Sequence, residues 1–527
     1  MNFAILIPIV IFYLAIMSWL AYYGYKTTRS SEDYLVGGRN TNAIIMALSY
    51  GATFTSTSAL IGFGGYSAMN GFGLLWLAFL NIFVGAFVAF ALFGKRIRKM
   101  SVNLEAYTFS ELLGKHYQSK FITIISGVFI FIFMPAYTSV VLIGGGRFLE
   151  QTLSINYNIG LLILAVIVGI YVIGGGIKAV LYTDAFAAAI MLIGMAIFLF
   201  MSYHAVGGIV DAHTTLTSMK NLVPDALVEQ GHRGWTSMPE AGSPMWWTLV
   251  STIIMGVGIG VLAQPQLTMR FMTVKNNKAL NRSVLVGGLF MFFMTGAAYM
   301  IGPISNVYFH KNNGDIAINL ANGNPDLIIP MFIGEIMPEW FVYLFTLTLV
   351  SAVISTISSL IHLQGSAFGQ DILSNLGVKS VLGIDGSRIG VLIGLAGAVI
   401  LSYILPSGII AQATAFWFGI CAAGFLPTMI GAFYWKHATK QGAIASILVG
   451  FSVSVIGFLF LHAKEATAIG LSKAIFGKDT LFAFPLTHID PLFYSLPLST
   501  IVFVIVSLLS KSKDQTVIVN KTNEMFN

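Results

Sequence analysis

About thirteen stretches of apolar sequence run the length of this chain, each close to the roughly 20 residues an α-helix needs to cross a bilayer. They lie near 3–25, 43–68, 72–94, 121–146, 157–177, 184–206, 245–269, 283–305, 340–368, 388–405, 408–434, 441–462 and 491–510. The segment from Pro330 to Trp340 is a candidate for a separate short helix. The first run lacks the basic n-region of a signal peptide and is longer than an h-region, so it is read as a span. Only 9% of the 527 residues are charged, against about 25% in an average soluble protein, too few to cover a globule of this size in water. A chain with 56% hydrophobic residues is equally unlike a disordered one. The single cysteine, Cys421, rules out a disulfide scaffold and a Cys-based zinc cluster. The fold class is an all-α polytopic membrane protein.

The net charge of +7 is explained by orientation. With the N-terminus outside, the inward segments hold Lys26, Arg29 and Arg39; Lys95, Arg96, Arg98, Lys99, Lys115 and Lys120; then Lys178 alone. They continue with Arg270, Lys275, Lys278 and Arg282; Lys379 and Arg388; Lys436 and Lys440; and Lys511, Lys513 and Lys521. That is 21 of the 28 lysines and arginines, the asymmetry that the positive-inside rule demands, and it removes any need for a nucleic-acid partner. The expectation is a multi-pass plasma-membrane protein with a cytoplasmic C-terminus. No segment is long enough for a nucleotide-binding or enzymatic domain, and no GxxxxGK[ST], HExxH or CxxC motif is present. An ATP-driven pump would need a partner chain to supply its engine.

The second span reads Ala47-Leu-Ser-Tyr-Gly51-Ala-Thr-Phe-Thr-Ser-Thr-Ser58, followed by Gly62, Gly64 and Gly65. So many hydroxyls beside glycines make a poor continuous helix, and non-helical backbone at membrane depth survives only where it is buried or lines a cavity. The seventh span has Gly256, Gly258 and Gly260 before Gln264-Pro265-Gln266, where proline frees the carbonyl four residues back. Two interrupted spans, five apart, fit two inverted repeats of five spans and point to the binding site of a secondary transporter. Ordinary glycine-mediated helix packing is the plainer alternative. The ninth span adds Ala352, Ser355, Thr356, Ser358, Ser359 and His362, much of the set on one helical face. Hydroxyls with freed carbonyls suit a small hard monovalent cation, where a soft metal would ask for thiolates or imidazoles. Against this stand back-bonding of each hydroxyl to its own helix and a purely interior hydrogen-bonding role for His362.

Motifs surround these spans. They are Asp33-Tyr-Leu-Val-Gly-Gly-Arg39, Gly146-Arg147, Gly175-Gly176 with Ala179-Val180 and Thr183-Asp184, and Gln264-Pro-Gln-Leu-Thr-Met-Arg270-Phe-Met. Further along stand Ile354-Ser-Thr-Ile-Ser-Ser359 and then Trp435, Thr439 and Gly442-Ala443. In these the chain resembles, from about Ser31 to Gly450, the sodium:solute symporters, which include carriers of proline, pantothenate, monocarboxylates, sugars and iodide. It departs from their pattern at His437, usually basic, and at Ala187, often glutamine.

The resemblance implies the leucine-transporter fold, a five-plus-five inverted repeat with extra spans at both ends, and Na+ as coupling ion. The division it implies is an extra helix at 1–30, a first repeat at 31–206, an external loop at 207–243, a second repeat at 244–434, extra helices at 435–510 and a cytoplasmic tail at 511–527. It places a main sodium site on the carbonyls of Ala52, Thr55 and Ala352 with the hydroxyls of Ser355 and Thr356. A second sodium site would use Asp184 with Ser355, Ser358 and Ser359; otherwise Asp184 caps the sixth span. The carboxylate that sugar carriers of this family present from the third span is missing, and Phe54 stands where the proline carriers have an aspartate. The second span is most like that of the pantothenate and monocarboxylate carriers. A carboxylate could be held by the free N–H groups of a broken helix. Candidate lining residues are Ser56, Ser58, Gln264, Trp76 and Trp417. The expected function is sodium-coupled import of a small organic acid by a chain that acts as a monomer without an obligatory protein partner. An amino-acid or sugar symporter, a membrane solute sensor and a channel are the alternatives.

Overall fold

The computed structural model describes residues 3–510 apart from 379, 382, 383 and 407. Lys379 and the tail at 511–527, with Lys511, Lys513 and Lys521, lie outside the described residues. Eleven helices among those described are long and apolar enough to cross a membrane, and two shorter apolar helices, Ala43–Phe54 and Tyr157–Gly169, add to them. The rest is short helices and loops, with one hairpin of two-residue strands, Ser380–Val381 paired antiparallel with Ile384–Asp385. A separate helix, Ile328–Ile336, stands where the sequence suggested one.

Burial separates the centre of the bundle from its rim. The helices Glu339–Ser366 and Ile410–Tyr434 are 89% buried over their most apolar stretch, whereas the first helix is 22% buried. The hydroxyl-rich ninth span is therefore central and the N-terminal helix peripheral. Lipid association offers no hydrophobic drive between helices, so contacts depend on close packing of small residues. Trp76, Phe79, Phe83 and Phe87 are 54%, 43%, 63% and 54% exposed, and their spacing of three to four residues puts them on one helical face. That stripe faces outward, with Trp76 edge-on to Phe79. Trp76 is thereby removed from the expected substrate lining.

Helix Tyr157–Ala205 is continuous except at Gly176, where φ is 57° and ψ −163°. Only glycine adopts this geometry without strain, and a Cβ there would stand 2.5 Å from the Tyr34 ring. The sixth span restarts at Gly176, so Asp184 sits two turns inside it. It is no N-cap, and that reading is withdrawn. Thr183 likewise bonds back to Ala179 O at 2.9 Å.

Long-range hydrogen bonds gather the basic loops at one end of the bundle. Arg39 donates to Ala106 O at 2.8 Å, Arg98 to Val274 O at 2.9 Å, Arg96 to Phe433 O at 2.6 Å, and Lys178 to Thr27 O at 3.0 Å while pairing with Asp33. The Asp33–Arg39 motif is thus a brace: its acid holds Lys178 and its arginine holds the loop after the third span. At the other end, Trp235 donates its indole N–H to Ala68 O at 2.8 Å and Phe72 N–H donates to Trp235 O at 2.7 Å. The loop at 207–243 is therefore tied onto the second span. Arg270 belongs to neither end. It is 1% exposed, inside the bundle, and its reading as a loop charge is corrected.

Candidate functional site

Helix Ala43–Phe54 ends because Thr55 turns out of helical geometry, with φ −85° and ψ 79°, and a π-helical segment, Ser58–Gly62, follows. Hydroxyls supply the alternative partners that make the break possible. Ser56 Oγ accepts from Ser58 N–H at 3.1 Å, and Thr57 Oγ1 donates to Val141 O at 2.8 Å. The consequence is a pair of released carbonyls. The regular donor to Ala52 O, the Ser56 amide, bonds instead to Phe54 O at 3.1 Å; the regular donor to Thr55 O, the Ala59 amide, bonds to Ser56 O at 3.0 Å. Leu60 N–H also donates to Ser56 O, at 3.2 Å. Ser56 so occupies the first amides of the restarted helix, and these are not the open donors for a carboxylate that the sequence suggested.

Helix Glu339–Ser366 runs beside this break. Thr356 Oγ1 lies 3.5 Å from Ala52 O and 3.3 Å from Thr53 O. Ala352 is one turn before it and Ser355 adjacent, both 0% exposed. Among the described residues Thr55 Oγ1 and Ser355 Oγ are buried without a hydrogen-bond partner of regular geometry, although Ser355 lies beside the Asp184 carboxylate. A buried hydroxyl left unpaired costs about 1–3 kcal/mol, and an ion is a recognised reason for tolerating one. Five neutral oxygens, two of them carbonyls freed by the break, match the needs of a hard monovalent cation.

Asp184 comes to the same break from the sixth span. Its Oδ2 accepts from Ser49 Oγ at 2.6 Å and Thr53 Oγ1 at 3.2 Å, and pairs with Arg270 Nη2 at 3.2 Å, the two side chains 0% and 1% exposed. Arg270 also donates to Thr53 Oγ1 at 3.0 Å and to Ser359 Oγ, while Thr53 and Ser359 share a hydrogen bond of 2.9 Å. Of the second-site set, Asp184 and Ser359 are therefore joined through Thr53 and Arg270. Ser358 turns back onto Ser355 O at 2.8 Å. His362 is buried against Tyr34, with ring centroids 5.3 Å apart, and among the described residues neither ring nitrogen has a hydrogen-bond partner; it is not the interior hydrogen-bonder expected. Ser49, Thr53 and Arg270 were missed by sequence reasoning. For Arg270 a signal existed: it lies among Leu267, Met269, Phe271 and Met272, where a loop charge would have polar company.

The seventh span breaks at Gln264 (φ −74°, ψ 115°), after which Pro265 opens the helix Pro265–Thr273. Gln264 Nε2 donates to Gly260 O at 3.1 Å and its Oε1 accepts from Gln266 at 2.9 Å. Helix Ile410–Tyr434 packs on both interrupted spans. A Cβ on Gly62 would stand 2.4 Å from Ile410, and one on Gly260 2.5 Å from Phe418. Phe418 is also edge-on to Phe54 and to Tyr137. Trp417 is fully buried on this helix, and among the described residues its indole N–H and the hydroxyl of Ser58 are without partners.

Residues 34–450 match the Sodium:solute symporter family. The chain is 27% identical over 464 residues to the sodium/pantothenate symporter of Haemophilus influenzae, covering 86% of this chain and 90% of that one. It is also 27% identical over 464 residues to the osmoregulated proline transporter OpuE of Bacillus subtilis, covering 86% and 89%. Among solved structures, a Na+-coupled sialic acid symporter in a substrate-bound outward-open state superposes with a TM-score of 0.69 at 18% identity, covering 96% of this chain and 98% of that one. That likeness establishes the leucine-transporter fold. The chain belongs to the sodium:solute symporter family: it is a membrane transporter rather than an enzyme, with sodium as its coupling ion.

Proposed function

We propose that this chain imports a small monocarboxylate-bearing solute, pantothenate-like in chemistry, together with sodium bound at Ala52, Thr55, Ala352, Ser355 and Thr356. The observation that carries the sodium site is the break at Thr55, which frees two carbonyls opposite the buried hydroxyls of Ser355 and Thr356, the first of them without a hydrogen-bond partner among the described residues. Release of the ion would return this break to a state with unsatisfied oxygens, so ion and solute are held by one deformable element. For the solute, Ser58 Oγ–H and Trp417 Nε1–H are buried donors in need of acceptors, which favours an anionic or oxygen-rich ligand. They replace the backbone amides that Ser56 already occupies, while both polar ends of Gln264 are engaged within its own break. A zwitterionic amino acid such as proline is the second reading, supported by the equal similarity to OpuE. Its ammonium group needs a carboxylate, and the one at the break, Asp184, is held by Arg270. In the membrane the basic end faces the cytoplasm, which leaves the N-terminus outside.

The test is uptake into proteoliposomes under an imposed sodium gradient. Labelled pantothenate, pyruvate or lactate should accumulate above equilibrium, and collapse of the gradient should release it. Esterifying the carboxylate should abolish competition. A channel or a sensor would give no accumulation. Sodium-driven uptake of a neutral sugar or of proline, with none of the acids, overturns the solute assignment.

A further inference from the structure

Among the described residues Arg270 is the one buried cation at the break, and its position is specific. A single nitrogen, Nη2, lies within hydrogen-bond reach of Asp184 Oδ2, Thr53 Oγ1 and Ser359 Oγ. Those three oxygens come from the sixth, second and ninth spans, so one guanidinium joins three elements that must part if the site is to open. All four residues are at most 2% exposed. We propose that Arg270 is a tethered countercation that occupies the Asp184 site in place of sodium, so that sodium at Asp184 and Arg270 at Asp184 exclude one another.

The argument is electrostatic. Asp184 and Arg270 neutralise each other. A sodium ion added beside them, on top of the one held by the neutral oxygens of the main site, would bring the buried charge at the break to two, and each uncompensated buried charge is costly. With sodium present the guanidinium must withdraw; with sodium gone, Asp184 would be an unpaired buried anion unless the guanidinium returned. Either occupant leaves the site neutral. The means of withdrawal is local. Arg270 is carried on the short helix Pro265–Thr273, which is separated from the outer part of its span by the extended residue Gln264. Reorienting that nine-residue arm about Gln264 moves Arg270 without dismantling the main site, whose oxygens lie on the second and ninth spans. Arg270 thereby ties the empty second site to one position of the arm.

The inference rests on the sodium coupling of the proposed function and adds Asp184 as a second place for the ion, and the experiment separates the two. Purified full-length protein is titrated with sodium by tryptophan fluorescence and by binding of radiolabelled sodium, and the reconstituted protein is assayed for net uptake and for exchange of solute. Arg270→Gln removes the competitor, so the Asp184-dependent binding should tighten by about tenfold or more, a gain of roughly 1.4 kcal/mol. Adding Asp184→Asn to that variant should abolish the gain. Net uptake by Arg270→Gln should fall while exchange persists, because only the return of the empty carrier needs the guanidinium. Arg270→Lys keeps the charge on a shorter reach and should restore part of net uptake; it also carries the test if Arg270→Gln does not fold. Unchanged or weaker sodium binding in a well-folded Arg270 variant overturns the proposal, as does a gain that survives Asp184→Asn. Failure of the underlying sodium reading looks different: the wild-type protein would then give no sodium titration.

Discussion

The two interrupted helices use similar residues to opposite ends. At Thr55–Ser58 the hydroxyls redirect backbone amides, and carbonyl and hydroxyl oxygens are left over: Ala52 O and Thr55 O lose their regular donors, while Thr55 Oγ1 and Ser58 Oγ are unpaired. At Gln264 the break repairs itself. The glutamine side chain returns a donor to Gly260 O, and Pro265 at the first helical position has no N–H to satisfy. In the proposed reading one interruption is a ligand set and the other is a joint. Glycine and proline mark where a helix can bend, but only a surplus of oxygens marks where a cation can sit.

The sharpest way to break this comparison is to remove an oxygen from the first site. Ser355→Ala and Thr356→Ala should each raise the sodium concentration for half-maximal uptake by about 10- to 100-fold, since a hydrogen bond or its equivalent to a charged partner is worth about 1.5–3 kcal/mol. Expression and melting temperature in the absence of sodium should change little. Wild-type sodium dependence in both variants at normal membrane levels would refute the assignment of the ligand set.

At the joint the expected losses are in stability. Gly260→Ala places a Cβ 2.5 Å from Phe418, and overpacking of this kind costs about 1–3 kcal/mol. A lower melting temperature, with sodium affinity retained in whatever folds, is the outcome that fits a joint. Gln264→Leu should cost less, about 1 kcal/mol for a lost hydrogen bond to Gly260 O, again without moving the sodium titration. If Gln264→Leu shifted sodium dependence as far as Ser355→Ala, the distinction between the two breaks would collapse. If it altered solute KM alone, Gln264 would belong to the lining after all.

How far these regions could be read from sequence follows from the kind of signal each leaves. The spans and both interruptions are legible because length, apolarity, glycine and hydroxyl density are local properties. The family motifs that bracket them are local too. What fails is anything decided by a distant partner. Thr183-Asp184 has a capping pattern, but the helix restarts at Gly176, whose positive-φ backbone lies against Tyr34. Arg270 was counted with the loop charges because a basic residue near a span end is usually solvated; its partner Asp184 lies 86 positions away. Trp76 was legible and misread: its spacing with Phe79, Phe83 and Phe87 is that of a single face, and an aromatic face on a peripheral helix points to lipid.

The smallest effect concerns the arm of the second interrupted helix that precedes Gln264. Asp490, in the loop before the helix Leu492–Leu509, donates its backbone N–H to Ser251 Oγ at 3.0 Å, and its carboxylate lies within 4 Å of where Gly256 and Gly419 would carry a Cβ. Burial raises its carboxyl to about 7, against the opposing pull of His462 and a hydrogen bond from Leu492 N–H. A carboxyl raised above its unfolded value of about 3.9 holds its proton more tightly when folded. Its contribution to stability is therefore complete below about pH 4 and is lost as pH rises through about 7. Asparagine imitates the neutral acid at every pH. Asp490→Asn should thus melt close to wild type at pH 4 and above it at pH 8, by roughly 2 °C or more for a chain of this size. Loss of stability at pH 8 would mean that Asp490 is ionised and paired with His462, and that this arm is held by charge instead of by a buried proton.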